Sequence, residues 1–192
     1  MRAGRTVAAL VGVLLAACTA AEAPVGPGVV AEAVPGAQVA VAAGPATRAA
    51  RTRSGEMPPP DAAGPMDDPL TCLARTVYWE SKGQPVEGQA AVAHVVLNRA
   101  RAPGYPAEVC EVVMQGGQSR SCQFHFHCDG RDDAAREPDA YATAHRVAWE
   151  ALTGTSADPS RGATMFHNRS VRPSWANSAR RTAQIGDHSF YR

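Results

Sequence analysis

Leu70, Leu73, Val77 and Glu80 fall at i, i+3, i+7 and i+10, which predicts a helix over 69–81 with these four residues on one face. The apolar stripe ends on a carboxylate. Lys82-Gly83-Gln84-Pro85 then breaks the pattern, because glycine tolerates positive φ and proline restricts the residue before it. A second helix is expected over 86–102, burying Gln89, Ala90, Ala93, Val96 and Leu97, with small residues that allow close packing against another helix. Asn98 and Arg99 close it and are placed to brace the loop that carries Gln84. Beyond Pro103-Gly104-Tyr105-Pro106, residues 107–115 form a third helix with Val109, Val112 and Val113 apolar. A fourth, capped by Asp139 after Pro138, carries Tyr141, Ala144, Ala148, Ala151 and Leu152 and stops at Gly154. Residues 116–136 lack periodicity, and loops of that length in compact domains tend to be functional. Residues 163–167 and 188–192 read as short strands either side of a turn-rich stretch at Pro173-Ser174-Trp175. Helices first and a small sheet late give an α+β class, mainly helical.

The first 66 residues follow other rules. Arg2 and Arg5 precede an apolar run from Val7 to Leu15 that is too short to span a bilayer, the pattern of a signal peptide. Leu15-Ala16-Ala17-Cys18 resembles the bacterial lipobox, which would make Cys18 a lipidated N-terminus; an ordinary signal peptide cleaved at another small residue is the alternative. Thr19, where an Asp would favour inner-membrane retention, points to the outer membrane and the periplasm. Residues 19–66 are dominated by Ala, Val, Pro and Gly and contain no aromatic side chain, so they read as a disordered tether. Residues 67–192 then form a single domain. A net charge of +1 argues against a nucleic-acid partner.

Apart from Cys18, four cysteines remain, Cys72, Cys110, Cys122 and Cys128, an even number suited to two disulfides in an oxidising compartment. Three pairings are open; loop proximity leans towards Cys72 with Cys110 and Cys122 with Cys128.

A carboxylate on an apolar stripe is partly desolvated, and desolvation raises its pKa until it can donate a proton near neutral pH. Glu80 is therefore the candidate general acid. A helix-end Glu that points to water or pairs with Arg75, Lys82 or Arg99 is the alternative.

The run Cys72-Leu73-Ala74-Arg75-Thr76-Val77-Tyr78-Trp79-Glu80-Ser81-Lys82-Gly83-Gln84-Pro85, followed by Glu87-Gly88-Gln89-Ala90-Ala91-Val92-Ala93-His94-Val95-Val96-Leu97-Asn98-Arg99, resembles the opening signature of cell-wall hydrolases typified by spore cortex-lytic enzymes. So do Cys122-Gln123-Phe124, Cys128-Asp129-Gly130, Gly162-Ala163-Thr164-Met165-Phe166-His167, Pro173-Ser174-Trp175-Ala176 and Ile185-Gly186-Asp187-His188-Ser189-Phe190-Tyr191-Arg192. The resemblance implies a lysozyme-like catalytic domain acting on peptidoglycan glycan strands, with its first signature acid at Glu80. The second acid of that signature is Gln84 here, and Ser81-Lys82 replaces Ala-Arg. Lytic transglycosylase chemistry is implied before simple hydrolysis, since one Glu protonates the bond between N-acetylmuramic acid and N-acetylglucosamine and the sugar's own C6 hydroxyl then attacks. A two-carboxylate glycosidase would need Glu87, Asp129, Asp132 or Asp187 as partner. No metal or organic cofactor is required.

Tyr78, Gln84, Gln123, Phe124, Trp175, His188 and Tyr191 are the candidates for binding the sugars through flat faces and hydrogen bonds. Each aromatic among them, like Trp79 and Trp149, also suits core packing. Two rival functions stay open. Cys122, His125, His127 and Cys128, with His167 or His188, could hold zinc for an amidase that cuts the stem peptide. A peptidoglycan-binding lipoprotein without a working acid is the other, since fold does not guarantee activity. A protein regulator is left open.

Overall fold

The computed structural model describes residues 55–117 and 122–192. Cys18, the leader and residues 19–54 of the expected tether lie outside the described residues. Four α-helices, α1 (Pro69–Ser81), α2 (Val86–Arg101), α3 (Val109–Val113) and α4 (Pro138–Leu152), precede three strands, β1 (Met165–Asn168), β2 (Arg181–Ile185) and β3 (His188–Tyr191).

Helix α1 starts where Asp68 accepts hydrogen bonds from the Leu70 and Thr71 amides, both at 3.0 Å, and Pro69 supplies a preset φ at the first position. It ends before Gly83, whose φ is +81°. Helix α2 is buried along most of its length. Ala93, Val96 and Leu97 join a core with Leu73 and Val77 of α1, Val112 of α3 and Val147 of α4, whereas Ala91, Val92 and Val95 pack against Ala163 and Phe190 of the sheet region. Its alanine- and valine-rich run thus serves two cores, which a helix apolar on one face could not do.

Helix α3 is shorter than its predicted span, and Cys72–Cys110 ties it to α1. Cys122–Cys128 closes the second loop, so both disulfides follow the favoured pairing. Helix α4 begins with Pro138 at its first turn after Glu137; Asp139 lies inside that turn and is not the N-cap. Proline's fixed φ suits the first helical position, which moves the boundary two residues earlier.

The sheet is antiparallel in the order β1-β3-β2. Strand β2 was not expected, because Arg181-Thr182-Ala183-Gln184-Ile185 is polar and partly exposed, as an edge strand can be.

The expected boundary at residue 66 also moves. Tyr141 Oη donates to the Asp61 carbonyl, the Ala135 amide to the Ala62 carbonyl and Arg75 Nη2 to the Gly64 carbonyl. Ala62 and Met66 pack against the main core. Residues 61–66 are therefore a docked strap. Apart from Met66 they lack large apolar groups, but their backbone carbonyls find donors on α1, on α4 and on the loop before α4.

Candidate active site

Glu80 sits in the last turn of α1 and is only partly exposed. Burial raises its pKa to about 7, and the positive charge of Arg99 opposes the rise without cancelling it. None of Glu87, Asp129, Asp132 and Asp187 enters that balance. Arg99 comes from the last turn of α2, where its Nε donates to the Thr164 carbonyl at 2.7 Å and its guanidinium lies 5.2 Å from the Phe124 ring centre and 5.6 Å from that of Tyr105. Its Nη1 is buried with no hydrogen-bond partner. Arg99 is thus a fixed cation between aromatic faces that moderates Glu80. The sequence leaves Arg99 between a bracing role and a pair with Glu80, and the structure sets its charge against Glu80. Asn98 donates to Asp158 Oδ2 and to the Ala163 carbonyl, so these two residues brace the loop leading into β1 and not the one that carries Gln84.

Gln84 is held on the turn between β2 and β3. Its Oε1 accepts from the Asp187 amide at 2.9 Å and its Nε2 donates to Asp187 Oδ2 at 3.2 Å. Gln89 Nε2 donates to the Gln84 carbonyl at 3.0 Å, so the loop between α1 and α2 is pinned from both sides.

Trp175 and Tyr191 are brought together, their ring centres 5.4 Å apart and edge to face, but Tyr191 is only 8% exposed, so of the two only the half-buried Trp175 offers a face to a sugar. His167 joins them. Its Nδ1 is 2.9 Å from the Asn168 carbonyl, which can only accept, so in the neutral ring Nδ1 carries the proton and Nε2 accepts from Tyr191 Oη at 3.0 Å. The sequence offers His167 as a zinc partner, but its position opposite Ser189 in the β1–β3 register puts it on the same face as Tyr191.

The other candidates are separated from this cluster. The rings of Tyr78 and Phe124 are 1% exposed and belong to the main core, which corrects their assignment to the sugar surface. Tyr78 Oη accepts from the Arg136 amide. His188 is 5% exposed and lies edge-on to Phe166 on the opposite sheet face from Tyr191, so it too has no open surface for a sugar. Burial lowers its pKa, with Asp187 opposing and His167 assisting, and its Nδ1 has no partner. Gln123 is exposed on the disulfide loop, where its amide donates to the Gln115 carbonyl. Cys122 and Cys128 are oxidised together and offer no thiolate for the zinc alternative.

A helical body with a desolvated carboxyl at the end of its first helix and a small antiparallel sheet defines a lysozyme-like α+β catalytic fold. It superposes on the catalytic domain of the Bacillus cereus SleB protein with a TM-score of 0.53 at 28% identity, covering 65% of this chain and 89% of that one. The catalytic domain of the germination-specific lytic transglycosylase SleB from Bacillus anthracis gives 0.54 at 28% identity, covering 67% and 98%. In sequence the chain is 36% identical over 129 residues to the spore cortex-lytic enzyme of Halalkalibacterium halodurans, and 32% identical over 122 residues to that of Bacillus subtilis. These stretches are 67% and 63% of this chain, which spans 36% of the length of either relative. Residues 83–191 match the cell wall hydrolase family, and the chain belongs to it. Glu80 stands three residues ahead of that match.

Proposed function

We propose that this protein cleaves the bond between N-acetylmuramic acid and N-acetylglucosamine in peptidoglycan as a lytic transglycosylase, with Glu80 as its single acid and base. The observation that carries this reading is a carboxyl held near pKa 7 by burial, at the end of the first helix of a fold shared with a lytic transglycosylase. At neutral pH about half of such groups hold a proton. Glu80 gives that proton to the glycosidic oxygen, which leaves as the 4-hydroxyl of N-acetylglucosamine. The C6 hydroxyl of the muramyl residue attacks its own C1, and Glu80 recovers the proton from it, closing a 1,6-anhydro ring. Arg99 helps the carboxylate exist between the two transfers. Trp175, half-buried, supplies aromatic surface for a sugar ring with the buried Tyr191 packed edge to face behind it, and Gln84 fixes the loop after Glu80.

The leader and Cys18 support secretion and lipid anchoring, and Thr19 an outer-membrane destination facing the periplasm of a Gram-negative cell. The membrane would then be met through the lipid alone.

Mass spectrometry of products released from purified peptidoglycan tests the chemistry. Residues 55–192 should release anhydromuropeptides, and Glu80→Gln should release none while remaining folded. Reducing-end muropeptides would replace this mechanism with hydrolysis, free stem peptides with amidase activity, and absence of any product from folded protein with a binding role.

A further inference from the structure

The near-neutral charge of the chain conceals a strong segregation. Residues 161–192 contain six arginines against a single acid, Asp187, although the whole chain carries only +1. Arg169 faces that acid at 3.8 Å. Arg161, Arg180 and Arg181 are exposed and have no acidic partner among the described residues, and Arg181 Nη1 meets only Gln184 Oε1, at 3.4 Å. These three arginines and Thr182 surround an open cavity of about 260 Å³. A second of about 370 Å³ shares Arg161, Arg181 and Thr182 and extends along β2 to Glu87 in the first turn of α2.

Arg161 is also the one described non-glycine residue with positive φ, at 57°. That conformation is unfavourable for a residue with a Cβ, and such outliers persist where the surroundings hold them. Here Asp158 holds it: its carboxylate accepts from the Ser160 amide, the Ser160 hydroxyl and the Gly162 amide at 2.6–2.8 Å. The loop is built around an arginine where glycine would be relaxed.

Resting on the proposed glycan substrate, we infer that this double cavity along β2 is a subsite for the peptide stems of peptidoglycan, taking stem carboxylates on Arg161, Arg180 and Arg181 and a free amine of a diamino acid on Glu87. Glu87 decides the class of ligand. A phosphate polyanion gains nothing from a carboxylate in its groove, whereas a peptide with acid and amine groups uses both signs. The location fits as well, because Glu87 is seven residues from Glu80, at most about 25 Å of chain.

Binding is measured with full chain carrying Cys18→Ala and Glu80→Gln, which prevents lipidation and turnover. The probes are fluorescent uncross-linked glycan strands with stems, the same strands with N-acetylated stem amines, and strands stripped of peptide. Stem-bearing strands should bind about tenfold more tightly than stripped ones at low salt, and the gain should fade at high salt. Arg161→Gly with Arg181→Gln should abolish the gain and leave binding of stripped strands intact. Glycine relaxes the backbone at 161, so a melting temperature no lower than that of the parent would separate lost binding from lost folding. N-acetylation should weaken binding, and Glu87→Gln should remove its effect. Equal affinity for stem-bearing and stripped strands, a gain that survives the arginine changes, or arginine-dependent capture of phosphatidylglycerol vesicles without stem preference would each overturn the assignment. Product analysis with Glu80 intact keeps the two readings apart: stem-dependent binding without anhydro product would sink the proposed chemistry alone, and anhydro product without stem preference would sink this subsite alone.

Discussion

Gln84 grips Asp187 at two points, accepting from its amide and donating to its carboxylate. An amide does both, whereas an ionised carboxylate can only accept. A Glu at this position, as in the family signature, would keep the first bond and set two carboxylates against each other in place of the second.

Gln84→Glu should therefore lower stability by about 1 kcal/mol, the scale of a lost hydrogen bond plus like-charge contact at a partly exposed site. Adding Asp187→Asn should recover most of it, because Asn Nδ2 can donate to the new carboxylate. A double-mutant cycle in urea measures the coupling; additive losses would mean that the two side chains act independently.

Glu80 predicts two pH responses, both downward as pH rises. Cleavage needs its protonated form first, so the rate should fall as pH rises above about 7. For stability, the unfolded chain ionises this group near 4.5 whereas the folded one keeps its proton to about 7. The folded state thus binds more protons between those values, and stability is lost as pH rises through that window. Glu80→Gln removes the charge that burial penalises. Its stabilising effect relative to wild type should be greater at pH 8 than at pH 5 by about 2 kcal/mol, a value below the full shift because the group is partly exposed. Thermal melts at both pH values decide the matter.

The strap at 61–66 makes the choice of N-terminus consequential. Protein beginning at Asp67 lacks the carbonyls that receive Tyr141 Oη, the Ala135 amide and Arg75 Nη2, and should melt several degrees below protein beginning at Gly55. Tyr141→Phe, which removes one of those bonds, should cost about 1 kcal/mol in the longer protein and less in the shorter one, where only its contact with Arg75 is left to lose. Equal melting temperatures for the two lengths would show that the strap adds no stability.

Local periodicity determined much of this molecule. The apolar spacing of Leu70, Leu73 and Val77, the break at Gly83-Gln84-Pro85 and the glycine stop at Gly154 located three long helices, because capping and helical spacing act over a few residues. The same stripe singled out Glu80. Spacing could not separate Tyr78 and Phe124, which the core encloses, from Trp175 and Tyr191, which meet beside His167, because an aromatic is favourable in either place. Strand β2 was hidden for a related reason: its polar residues have weak strand preference, and only pairing with β3 fixes them. Tertiary structure alone set Arg99 against Glu80, laid Gln84 on Asp187 and gathered Arg161 with Arg181. Charges and amides carry no periodic signal for their partners, so these long-range meetings arise only when the helices and sheet have packed.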